Sequence, residues 1–183
     1  MSDIELYFMN ENYQKVTDLL VPKHNFNNLF LNYIELSVEK PLKYETMTLS
    51  SQFRKTFYDS DAIYVSEEVY QQVFSSNISN IYCVPVNIKF TDGKSFSYYR
   101  IDSKLELDII DMDNSVTDED GDLSRVIFDT NKVSNIDPKN LDFFKLSGLD
   151  AFQFVVSKRV KENLVKYSND IDFKIDKEFD LLW

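Results

Sequence analysis

Carboxylates are the residues of this chain most able to act together. From Asp102 to Asp122 stand Asp102, Glu106, Asp108, Asp111, Asp113, Asp118, Glu119, Asp120 and Asp122, with Lys104 as the one base. Nine acids against one base put −8 of the net −11 into this stretch. Three readings compete. A charge run is ordinarily a solvated loop. Acids can also ligate calcium, and Asp111, Asp113 and Ser115 follow the early spacing of a helix–loop–helix calcium site. Val116, however, stands at the sixth position, where the turn requires glycine, and Asp118-Glu119-Asp120-Gly121-Asp122 lacks the full ligand set. The third reading is a docking surface, since concentrated negative potential accelerates encounter with a basic protein. The spacing disfavours calcium, and with it a metal-dependent hydrolase built on these acids. It leaves the solvated loop and the docking surface level.

Few other residues offer chemistry. The lone histidine, His24, sits among polar neighbours in VPKHNFNN, and the lone cysteine, Cys83, lies in an apolar run that suits an inert buried thiol. No nucleophile elbow, glycine-rich phosphate loop, CxxC or HExxH pattern occurs. The expectation is therefore a protein that is not an enzyme and holds no cofactor or metal. Trp183 closes the chain, where it can pack back on the core or anchor an interface, as tryptophan does at binding hot spots.

Charge and composition narrow the partners. A net charge of −11 and a pI near 4.5 argue against nucleic acid, because phosphate binding needs clustered Lys and Arg. No run approaches the roughly 20 apolar residues of a membrane span, and the start, MSDIELYF, has acids where a secretory signal has bases. A single cysteine forms no internal disulfide and suits a reducing compartment, so a soluble cytoplasmic protein is expected. With 15 Phe and 11 Tyr but only 3 Gly, the chain has material for one packed domain over residues 1–183.

The elements that position the acids begin with a phrase said twice. AIYVSEEVYQQV (62–73) and QFVVSKRVKENL (153–164) each run an apolar strand into Val-Ser and then a helix. Ser66 and Ser157 are of the type that caps a helix N-terminus, and Val69/Val73 and Val160/Leu164 share a face at i, i+4. Each helix passes through a polar segment into another strand, IYCVPVNIKF and IDFKI. Two such units are too few for a solenoid and read as two local solutions to one packing problem. Between them Val84, Val86, Ile88 and Phe90 alternate as in a half-buried strand, Asp92-Gly93 turns, and SFSYYRI returns. LELDII extends this hairpin, and SRVIFD and FFKL read as short strands. Towards the N-terminus IELYFM, YIELSVEK and YETMTL read as strands, ENYQKVTDLL as a helix and SSQFRKTFY as a short helix. The fold expected is α+β, with a mainly antiparallel or mixed sheet, a few helices packed on it and two similar strand–Ser–helix units.

In order, the chain runs PLKYETMTLS, IYVSEEV, VPVNIKF, LELDIIDMDNS, LSRVIFD, LDFFKLSG, FVVSKRVKENL and IDFKI. This order, with Asp111 and Ser115 after the central strand and Phe144-Lys145-Leu146 before the last helix, resembles a bacterial immunity-protein family. It is the family numbered eleven among the polymorphic-toxin immunity families, formerly a domain of unknown function. The resemblance covers about residues 40–175, leaving residues 1–40 as an elaboration particular to this protein. It implies a cytoplasmic bacterial protein that neutralises a partner toxin by covering its active site or substrate surface, with no catalytic residue of its own. The partner expected is a protein toxin, basic if a nuclease. Asp111, Asp113, Asp118, Glu119, Asp120, Asp122 and Trp183 are the candidate contacts. The alternative is a regulatory or scaffold module without a toxin.

Overall fold

The computed structural model describes residues 4–12, 20–23, 41–59, 62–149 and 153–176. His24, Trp183 and the expected strand YIELSVEK lie outside them, as does most of ENYQKVTDLL, whose first residue, Glu11, ends a strand instead.

Strands dominate, and most pairings are antiparallel, so the chain is α+β with mixed sheets. One sheet contains β1 (Leu6–Glu11), β8 (Glu106–Leu107), β11 (Phe143–Leu146), β12 (Phe154–Ser157) and β13 (Ile171–Lys174), in the order β13-β1-β12-β11-β8. The other contains β2 (Val21–Pro22), β3 (Leu42–Glu45), β4 (Thr56–Asp59), β5 (Ala62–Ser66), β6 (Ile81–Lys89) and β7 (Ser95–Ser103), in the order β2-β3-β6-β7-β5-β4. The remaining strands, β9 (Val116–Thr117) and β10 (Leu123–Arg125), form a ribbon of their own. Helix α1 (Glu67–Val69) continues as a π-helical turn over Tyr70–Phe74; α2 is Thr130–Ser134 and α3 is Lys158–Tyr167.

The repeated phrase proves to be half of a larger repeat. The neighbours β6-β7-β5-β4 and β13-β1-β12-β11 match strand for strand, all antiparallel. Registers match too. Ser66 stands opposite Tyr98 and Val65 opposite Thr56, as Ser157 stands opposite Leu6 and Val156 opposite Phe143. Linking hydrogen bonds recur: Ser66 N–H donates to Lys55 C=O and Lys104 N–H to Asn80 C=O, just as Ser157 N–H donates to Asp142 C=O and Asn12 N–H to Asp170 C=O. The second unit takes its innermost strand, β1, from the other end of the chain.

Ser66 Oγ accepts from Val69 N–H and Ser157 Oγ from Val160 N–H, both at 3.4 Å, filling an orphan donor of each first turn. Ile81 lies 15 positions beyond Ser66, whereas its counterpart Ile171 lies 14 beyond Ser157. The extra residue is absorbed where Ser75 N–H reaches back five residues to Tyr70 C=O, the bond that makes the turn π-helical.

Alternation along the strands builds three cores. Tyr7, Met9, Ile63, Val65, Ile101, Phe154 and Val156 turn inwards with Val69, Val73, Val160 and Leu164, so both sheets and both helices share one core. Leu6, Phe8, Phe144 and Val155 face a second, with Ile109, Ile110, Val126 and Phe128. Tyr44, Phe57, Tyr64, Val84, Val86, Ile88 and Tyr98 build the third.

Four expectations need correction. YETMTL is strand only at Tyr44 and Glu45, the end of β3, and SRVIFD only at Ser124 and Arg125, the end of β10, with an isolated bridge at Phe128. SSQFRKTFY is a 3-10 turn, Ser50–Gln52, followed by strand β4, because Thr56–Asp59 pairs with Ala62–Val65. LELDII is a strand only at Glu106–Leu107 and pairs in parallel with β11, not with the central hairpin.

Candidate functional site

The acidic stretch divides by environment. Asp102 is 5% exposed and pairs with Lys145 Nζ at 2.6 Å, while Ser103 N–H donates to its Oδ1, so it belongs to the interior. Lys145 is itself buried, over the Phe154 ring. Asp108 meets Lys132 Nζ at 3.1 Å on the surface, an exposed pair worth about 0–1 kcal/mol. Glu106 is exposed on β8, opposite Lys145 in the ladder. What remains is Asp111–Asp122, with six acids and no base.

The core holds this segment by its stem. Ile109, Ile110, Val126 and Phe128 are buried together, and Phe128 stacks on Phe8 with ring centres 5.1 Å apart. Asp111 N–H donates to Ile127 C=O and Asp129 N–H to Ile109 C=O, closing the base. Ser115 Oγ accepts from Ile127 N–H at 2.9 Å and Ser124 Oγ donates to Val116 C=O at 3.1 Å, tying the β9–β10 ribbon. Asp118 shapes the tip: its Oδ1 accepts from Asp120 and Asp122 N–H, both at 3.0 Å, while Gly121 takes φ +91°, a value L side chains rarely adopt. Asp111 shapes the start, its carboxylate accepting from the backbone and side-chain amides of Asn114. The Asn114 side-chain bond, above all, holds the Asp111 carboxyl below the ordinary carboxylate range.

Asp111 and Asp118 are therefore framework, and the ribbon presents Asp113, Glu119, Asp120 and Asp122. These four are exposed and make no hydrogen bond or ion pair through their carboxylates among the described residues. Met112, 62% exposed, and Val116, 47% exposed, stand among them. Two carboxylates about 6 Å apart in water repel by roughly 0.7 kcal/mol before screening. A cationic surface laid on the ribbon would relieve any such repulsion among its exposed acids. Of the residues behind the calcium reading, Asp111 accepts from Asn114, and Ser115 Oγ accepts from the backbone N–H of Ile127. No group of three His, Cys, Asp or Glu is placed to hold a metal among the described residues.

Cys83 is half-buried; burial pushes its thiol up, opposed by a hydrogen bond with Tyr70. Sequence reasoning passed over a second feature, a polar cleft between residues 47–55 and 165–170 that contains Arg54, Lys55 and Lys166. No local spacing signals it: SSQFRKTFY and KENLVKY are separated by more than a hundred residues. No family model matches the chain, and no curated protein matches it.

Proposed function

We propose that this protein is an immunity-type inhibitor that binds a basic toxin and covers its active site or substrate surface, with the Asp111–Asp122 ribbon as the docking element. The observation that carries this reading is the ribbon itself. Six acids without a base are held in a fixed shape by Asp111, Asp118 and Gly121, and four of their carboxylates are left facing solvent. The ribbon supplies the two parts of a fast, durable interface. Its negative potential steers association, and Met112 and Val116 offer apolar contact that slows departure. No helix among the described residues is long and apolar enough to cross a membrane, which is compatible with the cytoplasmic site of action this reading requires.

The test is co-purification. The product of the adjacent upstream gene, tagged and produced with this protein, should bring it down as a complex that forms more slowly as salt is raised. A neighbour that leaves this protein in the flow-through at low salt would favour the regulatory or scaffold module.

A further inference from the structure

An aspartate followed by glycine can rearrange its own main chain, because glycine leaves its N–H unshielded and its backbone free to turn. The chain has two such pairs, Asp92-Gly93 and Asp120-Gly121. They sit on matching turns. Gly93 N–H donates to Phe90 C=O at 3.0 Å and Phe90 N–H to Lys94 C=O at 2.9 Å. Gly121 N–H donates to Asp118 C=O at 3.2 Å and Asp118 N–H to Asp122 C=O at 2.8 Å. The glycines take φ +80° and +91°. With the turn bonds alike, the two aspartates differ in what holds their carboxylates. Asp92 is gripped: Ser50 Oγ donates to Oδ2 at 2.6 Å, Lys94 N–H donates to Oδ1 at 3.3 Å, and Lys94 Nζ stands 3.7 Å from Oδ2. The carboxylate of Asp120 is exposed and has no such partner among the described residues.

We propose that Asp120 is a site of spontaneous isomerisation to β-aspartate, and that Ser50 and Lys94 protect Asp92 from the same reaction. In the first step the Gly121 nitrogen attacks Cγ of the Asp120 carboxylic acid. The N–Cγ bond forms, and the acid's OH leaves as water with the Gly121 N–H proton, closing a five-membered succinimide. Water then opens the ring at one of its two carbonyls. Breaking the bond from nitrogen to Cγ restores aspartate. Breaking the bond from nitrogen to the main-chain carbonyl carbon routes the chain through Cβ and Cγ and frees that carbonyl as a carboxylate. Mass and charge are unchanged, and water is the one reactant. Two features slow this at Asp92. Its carboxyl is tethered away from the glycine nitrogen, and Ser50, above all, holds it below the ordinary carboxylate range, which depletes the acid form that loses water. At Asp120 the contact to break is the Gly121 turn bond, the longer of the two. The β-linkage adds a methylene to the main chain between Asp120 N–H and Asp122 N–H, the two donors that Asp118 Oδ1 gathers, so it loosens the tip. The chemistry does not depend on what the ribbon binds.

The experiment is incubation of the full-length protein for weeks at mildly acidic pH, followed by trypsin digestion and electron-transfer fragmentation to locate β-aspartate. Cleavage after Lys89, Lys94, Lys104 and Arg125 places the two pairs on separate peptides, 90–94 and 105–125. In the folded chain β-aspartate should accumulate about tenfold faster at Asp120 than at Asp92, the factor that one hydrogen bond to a charged group is worth. In urea the two rates should converge. Ser50→Ala removes an exposed hydrogen bond and should raise the Asp92 rate towards that of Asp120, leaving Asp120 unchanged. Asp120→Glu keeps the charge and should abolish the β-linked product at that position. Equal rates in the folded chain, a faster Asp92, or product at Asp120 only in urea would each overturn the proposal. An Asp92 that stays slow in Ser50→Ala would overturn the protection assigned to that hydroxyl.

Discussion

Lys145 and Asp102 meet at 2.6 Å where water hardly reaches, and each is held by what the other neutralises. Removing one partner of such a pair strands a buried charge, at a cost of about 3–5 kcal/mol, whereas removing both is far milder. Urea denaturation should therefore show Lys145→Met losing several kcal/mol and Lys145→Met/Asp102→Asn recovering most of it. Equal losses in the single and double variants would mean that packing on Phe154 outweighs the charge. Tyrosine ionisation provides a second check. Burial, then a hydrogen bond with Cys83, pushes Tyr70 up to about 12, and burial also pushes Tyr98 and Tyr99 up. Below pH 10 both folded and unfolded chains keep these phenols protonated, so their contribution is fully present. Between about 10 and 12 the unfolded chain ionises first, and stability falls as pH rises. An alkaline absorbance titration should show a late group of tyrosines that joins the early group once urea unfolds the chain. At this scale the sequence over-read the acids, because composition cannot tell a buried, paired Asp102 from an exposed Asp120.

At the scale of elements, the cap serines distinguish the two halves of the repeat. Each accepts from its own first turn, so Ser66→Ala should cost about 1 kcal/mol. Ser157 also donates to Asp142 at 2.7 Å, the carboxylate gripped by Arg159, so Ser157→Ala should cost more. Chemical denaturation of both variants decides it, and a larger loss at Ser66 would contradict the account. The outer edge of β4 has its donors taken by side chains: Asp170 accepts from the Thr56 N–H and Glu11 from the Tyr58 N–H, so a further strand would find both occupied. Both Val-Ser helices were legible because cap and i, i+4 face lie within a dozen residues. Strand β4 was not: Phe53 and Phe57 stand four apart and imitate a helix face. Their rings do touch, with centres 5.1 Å apart, but across a turn and a strand that only the distant partner β5 enforces. Nor could local pattern show that β1 completes the second unit, since Leu6 meets Ser157 from the far end of the chain.

For the whole molecule, charge is sorted by place. The ribbon gathers acids, the cleft gathers three of the bases, and the three apolar cores lie on the faces of the two sheets. The acidic run itself was plain in the sequence; what was hidden is that Asp111 and Asp118 build the ribbon while Asp113, Glu119, Asp120 and Asp122 present it. Changing those four to Asn or Gln should leave the folding midpoint unchanged or slightly raised, since like charges are removed. It should also slow association with a basic partner by tenfold or more at low salt, a difference that fades as salt screens the field. A variant that binds at the parental rate at low salt would mean that the ribbon does not steer.

Toxicity relief tests the central claim most directly. The adjacent upstream gene is expressed in a bacterial host alone, with this protein, and with the Asp113→Asn/Glu119→Gln/Asp120→Asn/Asp122→Asn variant. The account predicts growth arrest alone, full rescue by the parental protein and impaired rescue by the variant at matched protein levels. A neighbour that is harmless, or a toxic one that this protein leaves unchecked, would contradict the immunity reading. Equal rescue by both forms would keep that reading and remove the ribbon from the interface.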